Sequence, residues 1–196
     1  MPEMKNVKLR MTNLHLHASG VFSNVYRYAN RLSSIFMPDT LGALIENNSL
    51  DNVDIKLYTW QMFNGLQYLS RLQIMHRDIK PVNILADHAQ GLLKIGDFGS
   101  AKSRTTRNDV TRFYRPPELL LGAENYNWTI DIWSAGCVLG EMVKGNVLFP
   151  GRDTKHQLKL IRRALGSPTE ADLRSMKIPK PTDSMVERCA GTGLGA

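Results

Sequence analysis

The stretch from Asp51 to Asn83 constrains this chain more than any other. From Asp51, a residue suited to capping a helix, Ile55, Met62, Leu66 and Leu69 recur at helical spacing, and Leu57, Trp60 and Phe63 widen the stripe toward Ser70. The pattern predicts a long, largely buried helix. It leads straight into His76-Arg77-Asp78-Ile79-Lys80-Pro81-Val82-Asn83, which crowds acid, amide and base onto one loop. A core helix feeding such a loop requires a packed domain with a polar cluster at its edge.

Short β-like pieces follow at Ile84-Leu85 and Leu92 to Ile95, separated by the turn-prone run Asp87 to Gly91, and read as a small hairpin. Ile130, Trp133, Cys137, Val138 and Met142 predict a second buried helix over Thr129 to Lys144. A third helix fits Thr154 to Leu165, with Leu158, Ile161 and Leu165 inward, Lys155, Lys159, Arg162 and Arg163 mainly outward, and Gly166 as its stop. The tail beyond Pro179 has no periodicity and is expected to be disordered.

Phosphoryl transfer needs the residue types of the first loop. An Asp orients the attacking hydroxyl and takes its proton, a Lys neutralises the γ-phosphate, and an Asn oxygen ligates magnesium, roles that Asp78, Lys80 and Asn83 fit in order. Asp97-Phe98-Gly99 supplies an Asp for a phosphate-bridging metal, a Phe to pack inward and a Gly for an unusual turn. Taken alone, that tripeptide is a weak signal. Its weight comes from the order of motifs, which continues with Tyr114-Arg115-Pro116-Pro117-Glu118 and Asp131-Ile132-Trp133-Ser134-Ala135-Gly136.

With these motifs in place the chain resembles eukaryotic serine/threonine protein kinases of the CMGC group, nearest the glycogen synthase kinase family, with mitogen-activated and cyclin-dependent kinases close behind. Asp97-Phe98-Gly99-Ser100-Ala101-Lys102 is similar to the glycogen synthase kinase version. Leu148 to Asp153 and Leu165 to Glu170 suit the wider group. The resemblance implies an α+β, protein-kinase-like fold: a mainly helical C-lobe with a small hairpin, and a remnant of the β-rich N-lobe. It divides the chain into 1–35, an N-lobe remnant with a degenerate glycine-rich loop, 36–178, the C-lobe, and 179–196, the tail. It implies ATP and Mg²⁺ as cofactors, with Gly20, Val25, Met37 and Leu85 at the nucleotide and Asn83 and Asp97 on the metal. By the same likeness Thr111 bridges Asp78 and Lys80, Arg77 and Lys102 form a phosphate pocket, and Asp131 braces the catalytic loop from below. Glu118 is expected to be structural.

The pattern also breaks. Ala18 and Ser23 stand where the first and third glycines of the phosphate-covering loop would be. Phe36 to Leu41 looks like the hinge between lobes, yet it follows Val25 by only about eleven residues. A complete kinase has roughly sixty there, enough for a lysine-bearing strand and a helix with its Glu partner. In the family, later helices carry the Arg that pairs with Glu118, so that carboxylate is expected either to find Arg162 or Arg163 or to leave the lobe marginally stable. No Tyr lies between Asp97 and Phe113, leaving Thr105, Thr106 and Thr111 as hydroxyls of the activation segment.

The net charge of +7 is spread along the chain without a block of five Lys or Arg, so nucleic acid is not the expected partner. Protein substrates are, proline-directed or pre-phosphorylated, together with a scaffold protein on the Thr154 to Leu165 helix, a helix that in the family lies beside a scaffold-binding groove. Cys137 and Cys189 offer no disulfide framework or zinc spacing, and no apolar stretch is long enough to span a bilayer. A cytoplasmic or nuclear protein is expected. The alternative reading is a non-catalytic, kinase-like interaction module.

Overall fold

The computed structural model describes residues 14–19, 24–28, 37–101, 112–176 and 189–194, the first two segments as backbone only. The chain divides into two compact units, Met1–Phe36 and Met37–Ala196. In the first, β1 (Leu14–Ser19) pairs antiparallel with β2 (Asn24–Tyr28), with an irregularity in register between Leu16 and Ala18.

The second unit opens with β3 (Asp39–Thr40) and α1 (Leu41–Glu46), a short helix not anticipated from sequence, whose N-cap Thr40 accepts from the Ala43 amide. Then comes α2 (Asn52–Arg71), closed at its start by a reciprocal cap. Asp51 accepts from Val53 and Asp54 amides at 2.7 and 2.8 Å, and Asp54 accepts from the Asp51 amide at 3.0 Å. Its buried positions are Tyr58, Met62, Leu66 and Leu69. The helix is therefore buried along one stripe rather than on most of its surface. Trp60 stands about 200° round the helix from Tyr58 at about 100° per residue; it is 65% exposed, and Leu57 lies at the edge of the stripe.

The strands β4 (Ile84–Asp87) and β5 (Leu92–Ile95) form the expected hairpin, and β3 adds to β4, giving a three-stranded antiparallel sheet in the order β3-β4-β5. Gln61, on α2, staples the hairpin down, donating to the Gly91 carbonyl and accepting from the Leu93 amide, both at 2.8 Å. Gly65 permits the close approach, because a Cβ there would sit 3.0 Å from Ile95 Cδ1.

The short α3 (Pro117–Leu120) precedes α4 (Thr129–Lys144), which packs on α2 and buries Ile130, Ala135, Cys137, Val138 and Met142. Burial pushes the Cys137 thiol up to about 12, so it behaves as a core residue. Next, α5 (Thr154–Leu165) starts at the N-cap Asp153 and stops at Gly166, whose φ of +89° suits glycine alone. On α5 Ile161 is buried, but Leu165 is 55% exposed and the fully buried residue is Gln157. A last helix, α6 (Glu170–Ser175), starts from a capping box between Thr169 and Asp172, a signal present in the sequence and not read there.

The expected tail disorder does not hold for residues 189–194, which return to the C-terminal end of α5. Thr192 and Gly193 amides each donate at 2.9 Å, to the Arg163 and Ala164 carbonyls, and the Ser167 amide donates to the Cys189 carbonyl at 3.0 Å. The first two bonds satisfy carbonyls that a helix end leaves orphaned. Deleting residues 189–196 is expected to cost about 1–3 kcal/mol, given about 0.5–1.5 kcal/mol net per hydrogen bond. A thermal melt followed by circular dichroism checks it, and an unchanged midpoint refutes the capping role.

Glu118 finds no cation among the described residues; neither Arg162 nor Arg163 takes up the role considered above. Burial accordingly raises its carboxyl above the ordinary value. A raised acid binds its proton more tightly in the folded than in the unfolded chain, so this contribution is present at low pH. It is lost as pH climbs from about 4.5 through the raised native value. Glu118→Gln is expected to raise the melting midpoint at pH 7 by about 2–4 °C, equivalent to about 1 kcal/mol, with the gain shrinking toward pH 5. A melt series against pH decides it, and a lower midpoint at pH 7 would reveal an ion pair.

Candidate active site

The loop between α2 and β4 is shaped from beneath. Asp131, on α4 and 3% exposed, accepts from the backbone amides of His76 at 2.7 Å and Arg77 at 2.8 Å, one with each carboxylate oxygen. Burial raises its carboxyl, and those two bonds oppose the shift. The grip holds Arg77 at φ +68°, a left-handed conformation that costs a side-chain-bearing residue about 1–2 kcal/mol. The His76 ring nitrogen Nε2 lies 2.8 Å from the Gly96 carbonyl, which ties the loop to the residue before Asp97.

Above this support three predicted residues meet. Lys80 Nζ is 2.8 Å from Asp78 Oδ2, and Asn83 Nδ2 donates to the same oxygen at 2.9 Å and to the Asp78 carbonyl at 2.8 Å. Because both amide contacts use the Asn83 nitrogen, its carbonyl oxygen is the atom that remains for a cation. The Gly96 amide donates to the backbone carbonyl of Asn83 at 2.8 Å, leaving the side-chain Oδ1 unaffected and bringing the start of the Asp97-Phe98-Gly99 turn against the same loop. Asp97 is itself left-handed, at φ +54°, and its Oδ1 accepts from the Gly99 amide at 3.2 Å. Phe98 departs from expectation. It is 47% exposed and touches the His76 ring by an edge contact, centroids 4.9 Å apart, instead of packing inward.

Strand β3 pairs with the strand carrying Leu85, Thr40 lying opposite it, and Met37 stands just before β3. Val25 lies in β2 opposite Ala18. Gly20, Lys102 and Thr111 lie outside the described residues, as do Thr105 and Thr106. Arg77 donates through Nε to the Ser100 carbonyl at 2.9 Å and through Nη1 to the Tyr126 hydroxyl at 3.4 Å.

Two buried polar staples beside the site were not read from sequence. The Tyr114 hydroxyl donates to Glu141 Oε2 at 2.8 Å, and burial raises both groups. Gln157 Oε1 accepts from the Gly151 amide at 3.0 Å, and its Nε2 donates to the Phe113 carbonyl at 3.2 Å. Together they fix the segment around Phe113 and Tyr114 to α4 and α5. Glu and Gln inside an amphipathic helix normally signal a solvated face, which is why only the fold exposes these two.

Asp131→Asn would turn an NH₂ toward one of two backbone donors. The expected loss is about 1–3 kcal/mol, or about 2–4 °C in melting midpoint per kcal/mol. The Arg77 amide should also exchange faster with solvent deuterium. Unaltered exchange at His76 and Arg77 would show that the carboxylate does not hold the loop.

Compared with known proteins, the chain matches the protein kinase domain over residues 19–190. It is 36% identical over 191 residues to glycogen synthase kinase 1 of Pyricularia oryzae, covering 88% of this chain and 48% of that one. Identity is 42% over 158 residues to the mitogen-activated protein kinase homolog MMK2 of Medicago sativa, covering 78% and 41%. With protein kinase gsk31 of Schizosaccharomyces pombe it is 44% over 133 residues, covering 65% and 35%. The chain thus spans under half the length of these curated relatives. The domain match and the ordered motifs, from the Asp78 loop to Asp131, place the chain in the protein kinase family.

Proposed function

We propose that the chain works as the catalytic lobe of a serine/threonine protein kinase, moving the γ-phosphate of ATP to Ser or Thr hydroxyls of proteins. The observation that carries this reading is the clasp in which Lys80 and Asn83 converge on one oxygen of Asp78. ATP with magnesium, the family's usual pair, supplies the phosphoryl group and much of the charge neutralisation. The donor set fits it. Asn83 Oδ1 and the Asp97 carboxylate offer two hard oxygen ligands, as Mg²⁺ prefers when phosphate and water complete its shell.

Asp78 orients the substrate hydroxyl and takes its proton as the hydroxyl oxygen bonds to phosphorus. The bond to the departing ADP breaks with its electron pair, and Lys80 offsets the charge on the γ-phosphate. Ser/Thr targets followed by proline, or near an existing phosphate, are the proposed substrates. Supporting this are Arg115, directly after the anchored Tyr114, and Arg77, held at the site. A scaffold protein on α5 and a cytoplasmic or nuclear setting belong to the same reading. Among the described residues no helix is long and apolar enough to cross a membrane.

Between Val25 and Met37 the sequence has no room for a lysine-bearing strand and its Glu helix. Loss of one preorganised donor typically costs about 10²–10³ in rate. A radiolabelled phosphotransfer assay on this chain is therefore expected to show turnover at least about a hundredfold below the ordinary 1–100 s⁻¹ or so. Inserting such a strand and helix between Arg27 and Phe36 should restore activity, and Asp78→Asn should abolish it again. Activity of the restored form that survives Asp78→Asn would sink the assignment.

A further inference from the structure

The outer face of α2 carries apolar side chains where a surface helix normally shows polar ones. Val53 is 69% exposed and Tyr68 62%, close to the value for Trp60, and Leu57 and the C-cap Leu72 are exposed as well. At about 100° per residue, Val53, Leu57, Trp60 and Tyr68 fall within an arc of about 80°, opposite the buried Tyr58, Met62, Leu66 and Leu69. Soluble monomers rarely leave so continuous an apolar stripe open to water. The two ends of the helix differ in sign. Asp51 and Asp54 stand at its start and Arg71 in its last turn, and among the described residues none of the three makes an ion pair.

We propose that α2 is a self-association surface, packing antiparallel against α2 of a second copy of this chain about a two-fold axis between Trp60 and Asn64. A two-fold contact uses the same patch twice, so the patch must complement itself when its direction is reversed. This one does. The axis sets Trp60 near Asn64 and Trp60 of the second copy, Leu57 near Tyr68, and Arg71 near Val53 and Asp54. The basic end of each helix thereby meets the acidic start of the other, whereas a partner of one charge could match only one end. Trp, Tyr and Arg are also the residues that most often dominate the binding energy of interfaces. A helix of 20 residues is about 30 Å long, so the contact belongs with weak interfaces of under about 1,200 Å² rather than with obligate ones. It uses none of the residues proposed to handle phosphate, and it stands or falls independently of phosphotransfer.

Sedimentation equilibrium of the full chain between about 1 and 200 μM tests this. A reversible dimer is expected. Trp60→Asp and Tyr68→Asp should each weaken it about tenfold or more, since each would bury an unpaired carboxylate, with circular dichroism showing the variants folded. Arg71→Glu should weaken it too. In a Cys189→Ser background, Asn64→Cys should oxidise to a covalent dimer, because the two copies of that position lie about 6 Å apart along the paired helices. Lys56→Cys, about 18 Å from its counterpart, should not. The cross-link decides the matter even if an aspartate variant fails to fold. A chain that stays monomeric up to about 200 μM overturns the proposal, whether another part of this chain or a different protein then covers the stripe. A dimer that both aspartate variants leave intact overturns it as well. So does one in which Lys56→Cys cross-links as readily as Asn64→Cys, the mark of a parallel pair.

Discussion

The loop that carries Asp78 depends on one buried carboxylate. Asp131 is satisfied by two backbone amides, those of His76 and Arg77, from a loop more than fifty residues earlier in the chain. Burial works against its charge, and the bonds compensate by fixing a backbone that would otherwise relax out of the left-handed region. Everything above inherits that geometry. Asp78 follows Arg77 directly, the His76 ring reaches the residue before Asp97, and Lys80 and Asn83 close on Asp78 from the next turn.

The same device recurs at lower stakes. Gln61 clamps the hairpin to α2, Gln157 joins two loops across α5, and Glu141 holds the Tyr114 hydroxyl. Each is a polar side chain that would destabilise the core if unpaired, and each instead meets backbone or hydroxyl groups that no secondary structure satisfies. The segment around Phe113 and Tyr114 is thereby held against rigid helices. Glu118 is the exception, a carboxylate beside the same segment with no cation among the described residues.

Much of the fold was legible from local pattern. The helices over Thr129–Lys144 and Thr154–Leu165 fall where their apolar spacing and Gly166 placed them, and the hairpin lies on either side of its turn residues. The misses are equally physical. Trp60 and Leu165 are large and apolar yet exposed, whereas Gln157 is buried, because helical spacing specifies a stripe but not its width. The returning tail was illegible since Cys189 to Leu194 carries no periodicity and is held by backbone and side-chain hydrogen bonds to the end of α5 and to Ser167.

By itself, the sequence determined the types of the long helices and the hairpin, the order of the motifs and the placing of Asp78, Lys80, Asn83 and Asp97, residue types suited to phosphate and magnesium, within them. Those follow from residue chemistry and spacing, which are local. The tertiary structure alone decided that Asn83 presents its nitrogen to Asp78, that Asp131 grips the loop through two amides, and that Phe98 turns its edge to His76. Hydrogen-bond direction and burial are properties of pairs brought together across long stretches of chain, and no window of sequence contains both partners.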